Sequence, residues 1–103
     1  MNIVFEALAH PTRRAILEML KSGSRTAGEL ADAFAVSKPT MSGHFAKLRE
    51  AGLIHADQRG TTIVYSVNLS TLEEVLLGFI GRMGFAPDAR QAAVPAVLEG
   101  EKA

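Results

Sequence analysis

Between Ser37 and Lys47 the chain reads SKPTMSGHFAK, with three hydroxyl side chains, two lysines, a glycine and a histidine in eleven residues. Such groups exchange hydrogen bonds and neutralise anions. The chain has no Gly-rich phosphate loop, nucleophile elbow or paired-carboxylate arrangement, so the chemistry on offer is recognition rather than catalysis, and no enzyme is expected.

These residues need a scaffold that turns them outward. Ser37 is a good N-cap and Pro39 fits a first helical turn, where its missing N–H costs nothing. Met41, Phe45 and Leu48 recur at i, i+4 and i+7, the spacing of a buried helical stripe. The opposite face then carries Pro39, Thr40, Gly43, Ala46, Lys47 and Glu50, with Ser42 and His44 on the flanks. Ser37, Lys38 and Lys47 are placed to meet phosphates, helped by the positive end of the helix dipole. Gly43 costs the helix about 1 kcal/mol relative to alanine, a cost that close approach to another surface would justify. The helix is shaped for the major groove of DNA. His44 lies beside the buried stripe, where a packed, hydrogen-bonded histidine and a DNA contact fit equally well.

Around it the pattern gives a short apolar helix in NIVFEALA, then a second helix that starts at Pro11 and stops by Gly23. Thr26 caps a third, AGELADAF, with Glu29 completing a capping box, and a three-residue break, AVS, leads to the Ser37 helix. Alternating residues on either side of QRGT predict a β-hairpin turning near Gly60. Ser70 is expected to cap a final helix in which Leu72, Val75, Leu76, Phe79, Ile80 and Met83 form an apolar stripe. The fold class is mainly α with a β-hairpin, α-α-α-α-β-β-α, a winged helix-turn-helix. Residues 1–86 form the domain, and 87–103 an Ala/Pro-rich tail expected to be partly disordered.

Composition sets the outer bounds. With 103 residues, 48 % hydrophobic and 21 % charged, the chain is one ordinary globular domain. It has no cysteine, which excludes disulfides, a Cys-based zinc site and a thiol sensor. No apolar run suffices for a membrane span, and the amino terminus does not read as a signal peptide, so a cytoplasmic location is expected. Net charge is +0, distributed as +2 over residues 1–66 and −2 over residues 67–103, which permits a local basic face.

FEALAHPTRRAILEML, SKPTMSGHFAKLREAGLI and RGTTIVYSVN resemble the ArsR/SmtB family of winged-helix repressors, from Val4 to about Phe85. The combination of SKPTMSGHF with no cysteine looks most like that family's SdpR-type autorepressor branch. The resemblance implies a homodimer whose two recognition helices read a pseudo-palindromic operator in double-stranded DNA. It assigns Ser37, Lys38, Thr40, Ser42, Gly43 and Lys47 to the DNA face, with His44 grouped beside them. Arg59 at the hairpin tip, with Thr61 next to it, would reach the adjacent backbone or minor groove. It places the dimer interface on the first and last helices, with Phe5, Leu8, Leu72, Leu76, Phe79, Ile80 and Met83 as candidates.

Family members that release DNA on binding metal use cysteines in the third helix, or Asp, His and Glu on the last. Here the last helix has Glu73 and Glu74 without a histidine, and His10, His44 and His55 fall in separate elements. No metal or other cofactor is expected from one chain, while a site shared between subunits is left open. Gly78, Gly81 and Gly84 beside the last helix's stripe could admit a small apolar ligand or a regulatory protein, though core and dimer packing explain that stripe more simply. Arg13 is expected in a structural ion pair, and Arg14 is a weaker candidate for a phosphate contact. The competing function is a winged-helix module for protein interaction, which the basic start of the Ser37 helix speaks against.

Overall fold

Side-chain caps decide where the helices of this chain begin. In the computed structural model, which describes residues 2–84, α1 (Asn2–Leu8) is followed closely by α2 (Pro11–Leu20). The His10 backbone is extended and its Nδ1 accepts the Thr12 N–H at 3.1 Å, while Pro11 takes the first helical position. α3 (Ala27–Asp32) has the reciprocal capping box expected. Thr26 Oγ1 accepts the Glu29 N–H at 3.0 Å, and Glu29 Oε1 accepts the Thr26 N–H at 2.8 Å. α4 (Lys38–Glu50) starts at Ser37, whose Oγ accepts the Thr40 N–H at 3.3 Å.

The connection between α3 and α4 is longer than the three-residue break read from the sequence, running from Ala33 to Ser37. The N–H groups of Ala33 and Phe34 reach carbonyls only three residues back, on Leu30 and Ala31, and this tighter winding closes α3 early. At its other end α4 stops through a Schellman arrangement. Gly52, at φ +75°, donates to the Arg49 carbonyl at 2.9 Å, and Leu53 donates to the Leu48 carbonyl at 3.0 Å.

β2 (Ile54–Arg59) and β3 (Thr62–Val67) form the hairpin, paired antiparallel from Ile54↔Val67 to Arg59↔Thr62. That register leaves Gly60–Thr61 as a two-residue loop. Gly60 has φ +65° and Thr61 does not have positive φ, the combination a type II′ turn needs. A third strand, β1 (Arg25–Thr26), adds to β3 on the other side, giving the order β1-β3-β2. Two residues carry no periodicity, so nothing in the pattern announces this strand.

α5 (Leu69–Arg82) is capped by Asn68, not by Ser70. Asn68 Oδ1 accepts the Thr71 N–H at 3.4 Å, while its Nδ2 donates to the Gly52 carbonyl and to Thr71 Oγ1, both at 2.9 Å. Ser70 sits two residues later, inside the first turn.

The core joins Ile16, Leu17 and Leu20 of α2, Leu30 of α3, Met41, Phe45 and Leu48 of α4, then Leu53, Ile54 and Tyr65. The Phe45 and Tyr65 rings stack with centroids 4.6 Å apart, tying α4 to β3. All of this lies in one compact unit, Met1–Leu72; a second unit begins at Glu73. The tail 87–103 lies outside the described residues.

Gly52 is the backbone point on which the end of α4 depends. A Cβ there would meet only Thr71, at an ordinary 3.9 Å, so the cost of Gly52→Ala is the left-handed backbone itself. We expect a loss of about 1 kcal/mol or more, read as a lower thermal midpoint. An unchanged midpoint would show that this turn relaxes freely.

Candidate nucleic-acid interface

The two faces of α4 separate cleanly. Met41, His44, Phe45 and Leu48 are buried, while Ser37, Lys38, Pro39, Thr40, Ser42, Gly43 and Lys47 are exposed and Ala46 is half-buried. Thr40, Gly43 and Lys47 follow at i, i+3 and i+7 along the outward side. The Ser37 hydroxyl donates to Thr40 Oγ1 at 2.9 Å, which leaves the Thr40 hydroxyl proton for an outside acceptor. A Cβ on Gly43 would meet nothing within 4 Å. No packing inside the chain requires glycine at that position, so any need for a bare backbone there comes from outside.

In the hairpin every residue from His55 to Thr62 is exposed. Arg59 Nε lies 2.9 Å from Asp57 Oδ2, in a pair whose side chains are 69 % and 60 % exposed. So open a pair contributes about 0–1 kcal/mol. Thr61 is exposed in the same loop.

His44 departs from the grouping made on sequence. It is only 7 % exposed and points into the protein, because the fold closes on the flank where the pattern left it. Arg13 explains why. Its Nε donates to the Ala7 carbonyl at 2.8 Å and its Nη2 to the Glu6 carbonyl at 3.0 Å, while Nη1 lies 3.1 Å from His44 Nδ1. The expected ion pair of Arg13 is thus replaced by a cap on the last carbonyls of α1, which a helix end leaves unsatisfied. Arg14 Nη1 likewise donates to the Leu8 carbonyl at 2.8 Å. Neither arginine was legible in these roles, since the signal is a helix end seven residues or fewer upstream that must be brought close by the turn at Ala9–His10.

A guanidinium can only donate, so His44 Nδ1 accepts and its proton sits on Nε2. The His10 ring lies against it, with centroids 4.5 Å apart. The sequence put these histidines in separate elements, and the fold unites them. Burial, and then the neighbouring His10 and Arg13, lower the pKa of His44 from its ordinary value. Among the described residues no group of three or more His, Cys, Asp or Glu side chains is arranged to hold a metal ion.

Of the seven interface candidates none is buried in the single chain. Phe5, Leu8, Leu72 and Ile80 are half-buried, and Leu76, Phe79 and Met83 are exposed. Among the described residues no helix is long and apolar enough to cross a membrane.

Two short helices joined by a turn, the second turning its hydroxyls and lysines outward and followed by an exposed hairpin, define a winged helix-turn-helix DNA-binding module. Residues 8–56 match the helix-turn-helix domain family. The transcriptional repressor SdpR of Bacillus subtilis (strain 168) is 42 % identical over 85 residues, covering 80 % of this chain and 94 % of that protein. The transcriptional repressor SmtB of Mycobacterium tuberculosis is 31 % identical over 81 residues, 79 % of this chain and 60 % of that one. The crystal structure of an ArsR family transcriptional regulator superposes with a TM-score of 0.74 at 30 % identity, covering 80 % of this chain and 84 % of its own. The chain belongs to the ArsR/SmtB family of DNA-binding transcriptional repressors, whose members are regulators and not enzymes.

A depressed His44 pKa means that the unfolded chain takes up a proton the folded one refuses. The stabilisation is therefore complete above about pH 6.5, the ordinary histidine value, and is lost as pH falls below it towards the folded pKa. Thermal midpoints of the wild type should drop more between pH 7.5 and 5.5 than those of His44→Gln. Equal drops would mean that His44 is no more reluctant to ionise folded than unfolded.

Proposed function

We propose that this chain acts as a homodimer that sets one α4 helix into each half of a pseudo-palindromic operator. The observation that carries this reading is the outward face of α4, where Thr40, Gly43 and Lys47 are exposed in a row and Gly43 is open to close approach. Lys38 and Lys47 take phosphates, Ser37 and the Thr40 hydroxyl lie at the start of the helix, and Ser42 stands on its flank beside the base edges. Arg59 exchanges Asp57 for a phosphate or the minor groove, with Thr61 beside it. Membership of the family and the apolar side chains uncovered on α1 and α5 support pairing of two copies through Phe5, Leu8, Leu72, Leu76, Phe79, Ile80 and Met83.

The repressor works in the cytoplasm without a cysteine-based metal sensor, the chain having no cysteine. Its control comes from its own concentration, a regulatory protein or a small apolar ligand. The likeness to the repressor SdpR supports action as a transcriptional repressor, and its own promoter is the operator we propose to test first.

The test is a fluorescence-anisotropy titration of the full chain against duplex DNA from upstream of its own gene. Unrelated competitor, several salt concentrations and parallel samples with chelator complete it. We expect competitor-resistant binding in the range of roughly 10⁻⁸ M or tighter, insensitive to chelator, with a steep negative salt dependence. Binding no better than to unrelated DNA would defeat autoregulation, and no binding at low salt would leave a protein-interaction module.

Two variants examine the face itself. Lys47→Ala should make the log–log salt slope shallower by about 0.9 for each protomer. Gly43→Ala should stabilise the free protein by up to about 1 kcal/mol yet weaken operator binding, since its methyl group intrudes only on the groove. Full affinity in Gly43→Ala would mean that α4 does not approach DNA on this side.

A further inference from the structure

The bond that holds His44 inward tolerates only one of its two charge states. Its Nδ1 lies 3.1 Å from Arg13 Nη1 and accepts from it, and the residue is buried. A proton on Nδ1 would remove that acceptor and set two cationic donors face to face. Arg13 is not free to turn away, because its Nε and Nη2 are committed to the Ala7 and Glu6 carbonyls at the end of α1. The imidazole is therefore the group that must leave.

No acid offsets the added charge. The groups facing His44 are the Arg13 guanidinium and the ring of His10, whose centroid is 4.5 Å away. α1, α2 and β2 all pack on α4. Their carboxylates, on Glu6, Glu18 and Asp57, are exposed, and among the described residues none forms an ion pair with His10, Arg13 or His44. Arg14, His55 and Arg59 on the same elements are exposed too, as are the charged side chains of α4 itself. Burial, then His10, then Arg13 accordingly hold the pKa of His44 below its ordinary value.

His44 is also one of the four buried side chains of α4, with Met41, Phe45 and Leu48. It stands between Gly43 and Lys47 of the outward row, on the same turns of helix. A protonated His44 that moves towards water draws those turns away from α2 and disturbs the row with them.

We propose that the Arg13–His44 hydrogen bond is an acid-sensitive latch on α4, closed while His44 is neutral and opened when it takes a proton, so that the chain releases DNA as the pH falls. The inference rests on the reading of α4 as the DNA-reading helix. It adds a control by pH that needs no metal, ligand or partner protein. The DNA-bound form keeps the latch closed, so binding expels a proton that the free protein has taken up.

The experiment compares the full-length wild type with His44→Gln, whose carboxamide oxygen can accept from Arg13 but takes no proton. Anisotropy titrations on the upstream duplex run at constant salt from pH 7.5 to 5.5, with circular dichroism to follow folding at each pH. Both proteins should bind alike at pH 7.5. Wild-type affinity should then fall with pH, approaching about tenfold per pH unit for each protomer. His44→Gln should fall much less, since His10 and His55 titrate in both proteins and cancel in the comparison. Equal pH dependence in the two proteins overturns the latch, as does a wild-type loss that appears only where the chain unfolds. Should His44→Gln fail to fold, proton NMR of the wild-type His44 ring decides. A lower titration midpoint in the DNA complex than in the free protein supports the latch, and equal midpoints overturn it. A wild type that binds no DNA at pH 7.5 overturns the reading of α4 together with the latch, whereas binding with equal pH dependence overturns the latch alone.

Discussion

Arg13 joins three helices through one planar group. It grows from α2, caps the final turn of α1 on the Glu6 and Ala7 carbonyls, and holds Nδ1 of His44 on α4. Each of its hydrogen-bonding nitrogens takes an acceptor that would otherwise be left unsatisfied at a helix end or inside the fold. The consequence runs outward. With His44 pinned to the inside and neutral, Met41, Phe45 and Leu48 take the rest of the buried face, and the rotation of α4 about its axis is settled. The exposed row of Thr40, Gly43 and Lys47 is the other side of that same rotation.

This arrangement shows how a chain of zero formal charge can serve as a DNA-binding protein. Global charge drives non-specific attraction, whereas a helix in a groove needs only a few cations at the correct points. Lys38 and Lys47 are exposed at the start and in the last turn of α4, and Arg59 sits in an exposed ion pair with Asp57. The acidic excess falls after residue 66, away in sequence from the α3–α4 pair. Hairpin and helix are also coupled mechanically, since Phe45 of α4 stacks on Tyr65 of β3 and β3 carries the loop that displays Arg59.

Helix starts were the most legible part of the sequence, because a cap is a local transaction between a side chain and an N–H two or three residues on. Thr26 with Glu29, and Ser37 with Pro39, act in the structure as their spacing implies. The hairpin was legible for the same reason, Gly60 taking the positive φ its loop requires. Ser70 misled because the helix begins before it, at Leu69: Asn68 takes the Thr71 N–H and finds the Gly52 carbonyl as well, a partner sixteen residues away that no local pattern contains.

The sequence by itself determined the order of elements, the buried stripe of α4 and the chemistry of its opposite face, since all three follow from periodicity and short-range hydrogen bonding. Only the tertiary structure decided the inward turn of His44, its contact with His10, the capping role of Arg13 and the unpaired Nε of Arg25. The physical reason is one of range. Each of those outcomes depends on which acceptor another element brings within about 3 Å, the length of a hydrogen bond. Arg13 meets His44 across 31 residues of chain, and Arg25 pairs across the sheet with Tyr65, forty positions further on.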